Sequence, residues 1–223
     1  MSFGSSLFCM SFPRIFFLRH GQTEHSKANH FCGAGLDPDL TPDGAEMAKC
    51  FAEAYKEAPW RAIYSSTLKR AIATAAASAD ERGITIQQRD DLKEIKYGEW
   101  EGKTVEEVDA AYHDDYIRWT ADPAWCPPTG GETAVAIASR VMNVITEIKE
   151  KYSSGDVLVV SHKATIRIAI AYLLGIDVGR FRYRLDCPVC SLSVVEFNKQ
   201  GPWLRRLADR SHLSKRLREL PGT

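Results

Sequence analysis

The chain has 223 residues, of which 44% are hydrophobic and 26% are charged, as in ordinary globular proteins. Twenty-nine basic residues balance 29 acidic ones, so the net charge gives no reason to expect a nucleic-acid or membrane partner. No apolar stretch approaches the roughly 20 residues of a membrane span, and the N-terminal residues lack the basic and apolar regions of a secretory signal.

The cysteines favour a reducing compartment. Cys187 and Cys190 have the CxxC spacing of redox and zinc motifs, but no second Cys pair or Cys/His pair completes a zinc set. We therefore interpret the cysteines as reduced thiols and expect a cytoplasmic protein. Residues 1–12 are expected to be flexible. The sequence leaves the oligomeric state open, and a homodimer is one arrangement that it allows.

The first part of the chain alternates between strands and helices. The apolar run Ile15–Leu18 predicts a buried strand, and a polar loop follows over 24–40. Thr41 and Pro42 predict the start of a helix, as its N-cap and first residue. The next predicted elements are a strand over Arg61–Tyr64, a helix over Leu68–Ala79 capped by Ser65 and Ser66, and a strand over Ile84–Gln88.

The middle of the chain has a different pattern. Thr104 and Glu107 predict a capping box, after which apolar residues recur at helical spacing as far as Trp119. A Pro-rich stretch separates this helix from a strongly amphipathic one that begins at Ala134. The remaining predicted elements are a strand over Asp156–Val160, a helix over Ala164–Leu174 and a hairpin of Ser193–Phe197 with Trp203–Leu207.

This order of elements predicts an α/β fold. We expect one domain over 1–223, built as a three-layer α/β/α sandwich with a mostly parallel central sheet and helices on both faces. Residues 90–132 are expected to form a small, partly helical cap inserted into that domain.

The residues after the first strand carry the chemistry. Arg19 can hold anionic oxygens through its planar fork of donors, His20 can act as a nucleophile, and Gly21 lets the backbone approach a ligand closely. His162 follows a strand in the same way, and Arg70 lies in the first turn of a helix that follows another strand. Because ligands bind at the carboxyl ends of parallel strands, this pattern indicates covalent phosphoryl chemistry on a histidine.

Four segments, in this order, resemble the histidine phosphatase superfamily, also called the phosphoglycerate mutase-like family: LRHGQT, SSTLKRAIATA, LKEIKYGEWEG and VSHKATIR. The resemblance runs from about residue 14 to 210. It implies a small phosphate ester as substrate, a phosphohistidine intermediate on His20, and neither metal nor cofactor. It further implies that Arg19 and Arg70 clamp the phosphoryl oxygens, with His162 as the second imidazole. Glu94 would be the proton donor, for which a raised pKa is expected.

The predicted phosphate-binding residues also include Gln22, Thr23, Ser26 and Lys163. Ser26 stands where the family often has asparagine, and Lys163 where it often has glycine. The Lys163 side chain either points away from the site or adds a cation over the substrate, in which case it hints at an additional anionic group.

Several nearby residues have a plainer interpretation. Glu99 and Glu101 compete with Glu94 for the role of proton donor, and the family register favours Glu94. Arg182 and Arg184 are interpreted as parts of solvated faces. The aromatic residues of 90–132 are expected to pack as a cap core, with a stacking platform as the alternative. Arginines beside the two histidines argue against a metal site there.

The leading functional prediction is a metal-independent phosphomonoesterase, and the alternative is a cofactor-dependent phosphoglycerate mutase. The resemblance places GEWEG in the phosphatase branch, since mutases typically carry a longer insert with extra arginines, which is not found between Tyr97 and Ala110. A third hypothesis is a binding module without activity. Substrates suggested by the resemblance are sugar phosphates, phosphoglycerates, phosphoserine and α-ribazole phosphate.

Overall fold

The computed structural model describes residues 12–222, without the side chain at position 81. The strands are β1 (Pro13–Arg19), β2 (Trp60–Ser66), β3 (Ile86–Arg89), β4 (Gly155–Ser161), β5 (Leu192–Asn198) and β6 (Gly201–Asp209). They form one sheet in the order β3-β2-β4-β1-β5-β6. The first four pair in parallel, and β5 and β6 add an antiparallel edge.

Helices connect these strands and cover the sheet. They are α1 (Glu24–Lys27), α2 (Pro42–Ala54), α3 (Lys69–Ala79), α4 (Val105–Ala121), α5 (Ala134–Lys151), α6 (Lys163–Leu173), α7 (Phe181–Arg184) and α8 (Lys215–Glu219). Short 3-10 turns occupy 80–82, 90–92, 98–100 and 178–180. Within the described range, no helix combines the length and apolar character needed to cross a bilayer.

Side chains on opposite faces of the sheet enter different apolar clusters, because successive strand residues point to opposite faces. Ile15 and Phe17 pack with residues of α5 and α6, whereas Phe16 and Leu18 pack with residues of α2 and α3. Helices on both faces of a mostly parallel sheet confirm the predicted three-layer sandwich. A third, smaller cluster joins Phe31 to Trp100, Val108 and Trp119 of the segment 90–132.

Several predicted element boundaries are confirmed. Thr41 caps α2, which begins at Pro42, and the capping box of Thr104 and Glu107 opens α4. The hairpin of β5 and β6 is present, and β4 is a central strand. The sequence does not reveal the kink in α4, where Tyr112 leaves the helical region with φ −136° and ψ 38°.

Other local predictions were wrong. The loop over 24–40 contains the short helix α1. Ser65 and Ser66 belong to β2, and the N-cap of α3 is Leu68. The first N–H of α3, that of Lys69, instead donates to the carboxylate of Asp37 (2.8 Å). The expected flexibility of 1–12 lies outside the described residues except for Phe12, which packs against the core.

Candidate active site

Strand pairing places the two predicted histidines together. Arg19 at the end of β1 pairs with Ser161 at the end of parallel β4, so His20 and His162 leave the same edge of the sheet. The backbone N–H of His20 donates to the carbonyl of Ser161 (3.0 Å) and fixes this register. The two imidazole centroids are 5.1 Å apart, and both side chains are buried.

The hydrogen bonding of His20 leaves one ring nitrogen ready to react. Its Nδ1 lies 2.7 Å from the carbonyl oxygen of Gly21. A carbonyl can only accept, so Nδ1 carries the proton and Nε2 keeps its lone pair. Burial, and then the charges of Arg70 and Arg19, hold the pKa of His20 well below its usual value. The imidazole is therefore neutral at pH 7, which is the form that can attack phosphorus.

His162 is neutral for the same reasons. Its pKa lies well below the usual value because of burial, followed by the charges on Arg70 and on His20. Its Nε2 lies 2.8 Å from the hydroxyl oxygen of Ser66, which also accepts the N–H of Leu68 (3.3 Å). Its Nδ1 is buried and has no hydrogen-bond partner among the described residues. A buried polar atom of this kind is expected to be satisfied by a ligand or water.

Two buried guanidinium groups supply positive charge beside the histidines. Arg70 is held by its Nη1, which donates to the carbonyl of Leu36 (2.8 Å), and by its Nη2, which donates to that of Gly33 (3.1 Å). Arg19 donates from Nη1 to the carbonyl of Cys187 (2.8 Å). Both side chains line one cavity with His20. Because backbone carbonyls fix them, their geometry is set before an anion arrives.

Glu94 is the carboxylate that faces this cavity. It is buried, and its oxygens accept the backbone N–H groups of Ile95 (3.0 Å), Ala164 (3.2 Å) and Thr165 (3.2 Å). Its competitor Glu101 instead accepts three N–H groups of neighbouring loops. Glu94 therefore presents its carboxyl group to the cavity, whereas Glu101 anchors loops.

The cavity has a volume of about 150 Å³. Drug-sized ligands occupy pockets of roughly 300–1,000 Å³, so this cavity fits a much smaller molecule. The predicted site residues that line it are Arg19, His20, Thr23, Ser26, Arg70, Glu94 and Lys163. Thr23 and Ser26 also cap α1 through reciprocal hydrogen bonds (3.2 and 3.0 Å).

Two residues of the first motif have roles that differ from those predicted. The Gln22 amide donates to the carbonyl of Pro221 (2.6 Å) and accepts from the hydroxyl of Thr41 (2.9 Å). Gln22, like His162, is not among the described residues that line the cavity, and its contacts make it a tether for the C-terminal segment. A Cβ on Gly21 would lie 2.3 Å from the backbone oxygen of Gly44. Glycine is thus needed here for packing between two backbone segments, and Gly21 is not among the described residues that line the cavity.

Sequence reasoning missed two cations of the cavity wall, Arg167 and Arg182, and left two placements open for Lys163. Lys163 lines the cavity rather than pointing away, and Arg167, one helical turn further along α6, lines it as well. That i, i+4 spacing was the available signal. Arg182 also lines the cavity, so its interpretation as part of a solvated face was wrong. No sequence pattern indicated this position, because the fold alone brings α7 to the cavity. No group of three or more His, Cys, Asp or Glu side chains within 12–222 could hold a metal ion.

Comparison with known proteins gives a family. The model of the histidine phosphatase superfamily (branch 1) matches residues 15–210. Phosphoserine phosphatase 1 of Hydrogenobacter thermophilus is 31% identical over 202 residues, which cover 91% of this chain and 95% of that protein. A glucosyl-3-phosphoglycerate phosphatase of Mycolicibacterium vanbaalenii is 35% identical over 179 residues, covering 77% and 79%.

A solved structure agrees with this result. A putative alpha-ribazole-5'-P phosphatase from Escherichia coli is 26% identical and aligns with a TM-score of 0.80, covering 90% of this chain and 98% of its own. The family match spans the two strand-end histidines together with Arg19, Arg70 and Glu94. The chain belongs to branch 1 of the histidine phosphatase superfamily.

Proposed function

We propose that the chain is a phosphomonoesterase that hydrolyses a small phosphate ester through a phosphohistidine on His20. One observation carries this proposal: Nδ1–H of His20 donates a hydrogen bond to the Gly21 carbonyl, which leaves the Nε2 lone pair free in a cavity lined by Arg19 and Arg70. Relatives named as phosphatases of phosphoserine and of glucosyl-3-phosphoglycerate support it.

In the first step, Nε2 of His20 attacks the phosphorus atom and the bond from phosphorus to the ester oxygen breaks. Charge spreads over the equatorial phosphoryl oxygens, where the guanidinium groups of Arg19 and Arg70 neutralise it. The carboxyl of Glu94 gives its proton to the departing alcohol oxygen. The products are a free alcohol, phospho-His20 and a Glu94 carboxylate.

In the second step, the Glu94 carboxylate accepts a proton from water as that water attacks phosphorus. The bond from phosphorus to nitrogen breaks, inorganic phosphate leaves, and both side chains return to their starting states. We assign His162 a hydrogen bond to the phosphoryl group. If the Ser66 hydroxyl donates to Nε2 of His162, the imidazole proton lies on Nδ1. That N–H has no partner among the described residues and is therefore free to donate to the phosphoryl group.

The rest of the proposal concerns the setting of the enzyme. We place residues 90–132 as a cap within a single domain, since Glu94, Tyr97 and Trp119 all line the cavity. We also propose a cytoplasmic location and a small-molecule substrate. The free thiols of the described cysteines, at positions 32, 50, 126, 187 and 190, support a reducing compartment.

Phosphorus NMR tests the activity. The purified protein, with EDTA present, is given a panel of phosphate esters that includes 3-phosphoglycerate primed with 2,3-bisphosphoglycerate. Release of inorganic phosphate, lost in His20→Ala with folding retained, is the expected result. Migration of phosphate between glycerate positions without release would make the chain a mutase. Binding of esters without turnover would make it a binding module.

A further inference from the structure

A second group of cations lines the cavity in addition to Arg19 and Arg70. Lys163 and Arg167 come from α6, and Arg182 comes from α7. In the part of the chain that the structure describes, none of the three forms a salt bridge with a carboxylate. The cavity wall therefore carries more positive charge than Glu94, the one carboxylate among the described residues that line it, can balance.

The two guanidinium groups of this second set are held in fixed positions. The Cζ of Arg182 lies 3.8 Å from the ring centroid of Trp119, within the range of a cation–π contact. The Cζ of Arg167 lies 5.1 Å from the Phe181 centroid, and its Nη2 donates to the carbonyls of Phe181 (3.2 Å) and Arg182. These contacts fix the guanidinium groups and leave donors unused, among them Nη1 of Arg182, which is buried without a partner.

Placing these positive charges close together is unfavourable in free energy unless an anion binds between them. Burial, followed by the charges of Arg19 and Arg167, lowers the pKa of Lys163 to about 8. Burial likewise lowers the pKa of Arg167, and the charge of Arg182 adds to this. Buried charges are normally paired, so an arrangement of this kind indicates an anionic ligand that is not part of the chain.

We propose that Lys163, Arg167 and Arg182 form a second anion subsite, so that the substrate is a phosphate ester carrying a further carboxylate or phosphate group. This inference rests on the proposed function, because it assigns Arg19 and Arg70 to the transferred phosphoryl group. The two subsites are adjacent, since both sets of cations line the same cavity. With a cavity of about 150 Å³, a short linker between the two anionic groups fits best.

Equilibrium binding tests the subsite without requiring turnover. Calorimetry on the His20→Ala protein compares 3-phosphoglycerate with glycerol 3-phosphate, which replaces the carboxylate by a hydroxymethyl group. Propane-1,3-diol bisphosphate and propyl phosphate form the matching pair for a second phosphate. We expect the doubly anionic member of at least one pair to bind about tenfold tighter, as a charge-assisted hydrogen bond allows. The pair with the larger difference in Kd shows whether the second anionic group is a carboxylate or a phosphate.

Arg182→Gln, added to His20→Ala, is expected to remove this preference while changing the Kd of the singly anionic esters less than about twofold. Arg184→Gln is the matched control, because Arg184 is an exposed arginine of the same helix. If Arg182→Gln fails to fold, Lys163→Gln is tested with the same four esters instead. Lys163 is partly exposed, so its replacement disturbs folding less.

Two results would overturn the subsite: no preference in either pair, or an equal loss of affinity for all four esters. The proposed function fails in a different way. If the doubly anionic esters bind with the expected preference but the wild-type protein hydrolyses none of them, the subsite stands and the phosphatase proposal falls.

Discussion

Glu101 offers a sharp test of how Arg70 is held in the cavity wall. Its carboxylate accepts the N–H groups of Gly33 (2.8 Å), Gly35 (3.2 Å) and Tyr97 (3.2 Å). The carbonyl of Gly33 in turn accepts a hydrogen bond from Arg70. Glu101 therefore fixes the loop that fixes Arg70, although it does not line the cavity.

The substitution Glu101→Gln keeps the shape of the side chain but turns one of the two acceptor atoms into a donor. At least one N–H then faces an NH₂ group, and one charge-assisted hydrogen bond is lost. A hydrogen bond to a charged group contributes roughly 1.5–3 kcal/mol. We expect a loss of about 2 kcal/mol in the free energy of unfolding, or a Tm lower by roughly 4–8 °C for a chain of this size.

The activity of this variant is measured with an aryl phosphate and its stability by thermal unfolding. We expect kcat/KM to fall about tenfold, which corresponds to about 1.4 kcal/mol of transition-state stabilisation lost at a loosened Arg70. Glu99→Gln is the control, because Glu99 is an exposed neighbour in the same motif. A Glu101→Gln protein that matches this control in both Tm and kcat/KM would refute the proposed link from Glu101 to Arg70.

Three further predictions follow from the site. The pKa values of His20 and His162 are lower in the folded protein than in the unfolded chain, so the free energy of unfolding falls as pH drops below about 6.5. Urea titrations at several pH values should show a smaller fall for His162→Gln than for the wild type. Because the pKa of Lys163 is lowered to about 8, KM for doubly anionic esters should rise above that pH in the wild type but not in Lys163→Arg. Gly21→Ala should lower the free energy of unfolding by more than about 2 kcal/mol in denaturant titrations, because its Cβ would meet Gly44.

The sequence predicted the sheet and most helix boundaries because the signals were local. An apolar run marks β1, and a Thr-Pro pair marks the start of α2. The cap of α3 could not be predicted in this way. Asp37, which accepts the N–H of Lys69, is 32 residues away in the chain and reaches it only after the loop has folded.

The grouping of His20 with His162 was predictable because both follow strands, and parallel strands bring their ends together. The position of Arg182 in the outer wall of the cavity was not predictable in this way. Arg182 has exposed neighbours in the sequence, Tyr183 and Arg184, so its local pattern indicates a solvated face. Its contact with Trp119 depends on how α7 packs against α4, which local spacing does not encode.

The most direct test of the proposed function is capture of the covalent intermediate. The protein is mixed with a phosphate ester, quenched in alkali within milliseconds and mapped by mass spectrometry. A single phosphoryl group on His20, stable in alkali, released by acid and missing from His20→Ala, is the result that the structure predicts. Turnover with phosphate on another residue, or with His20 replaced, would contradict it.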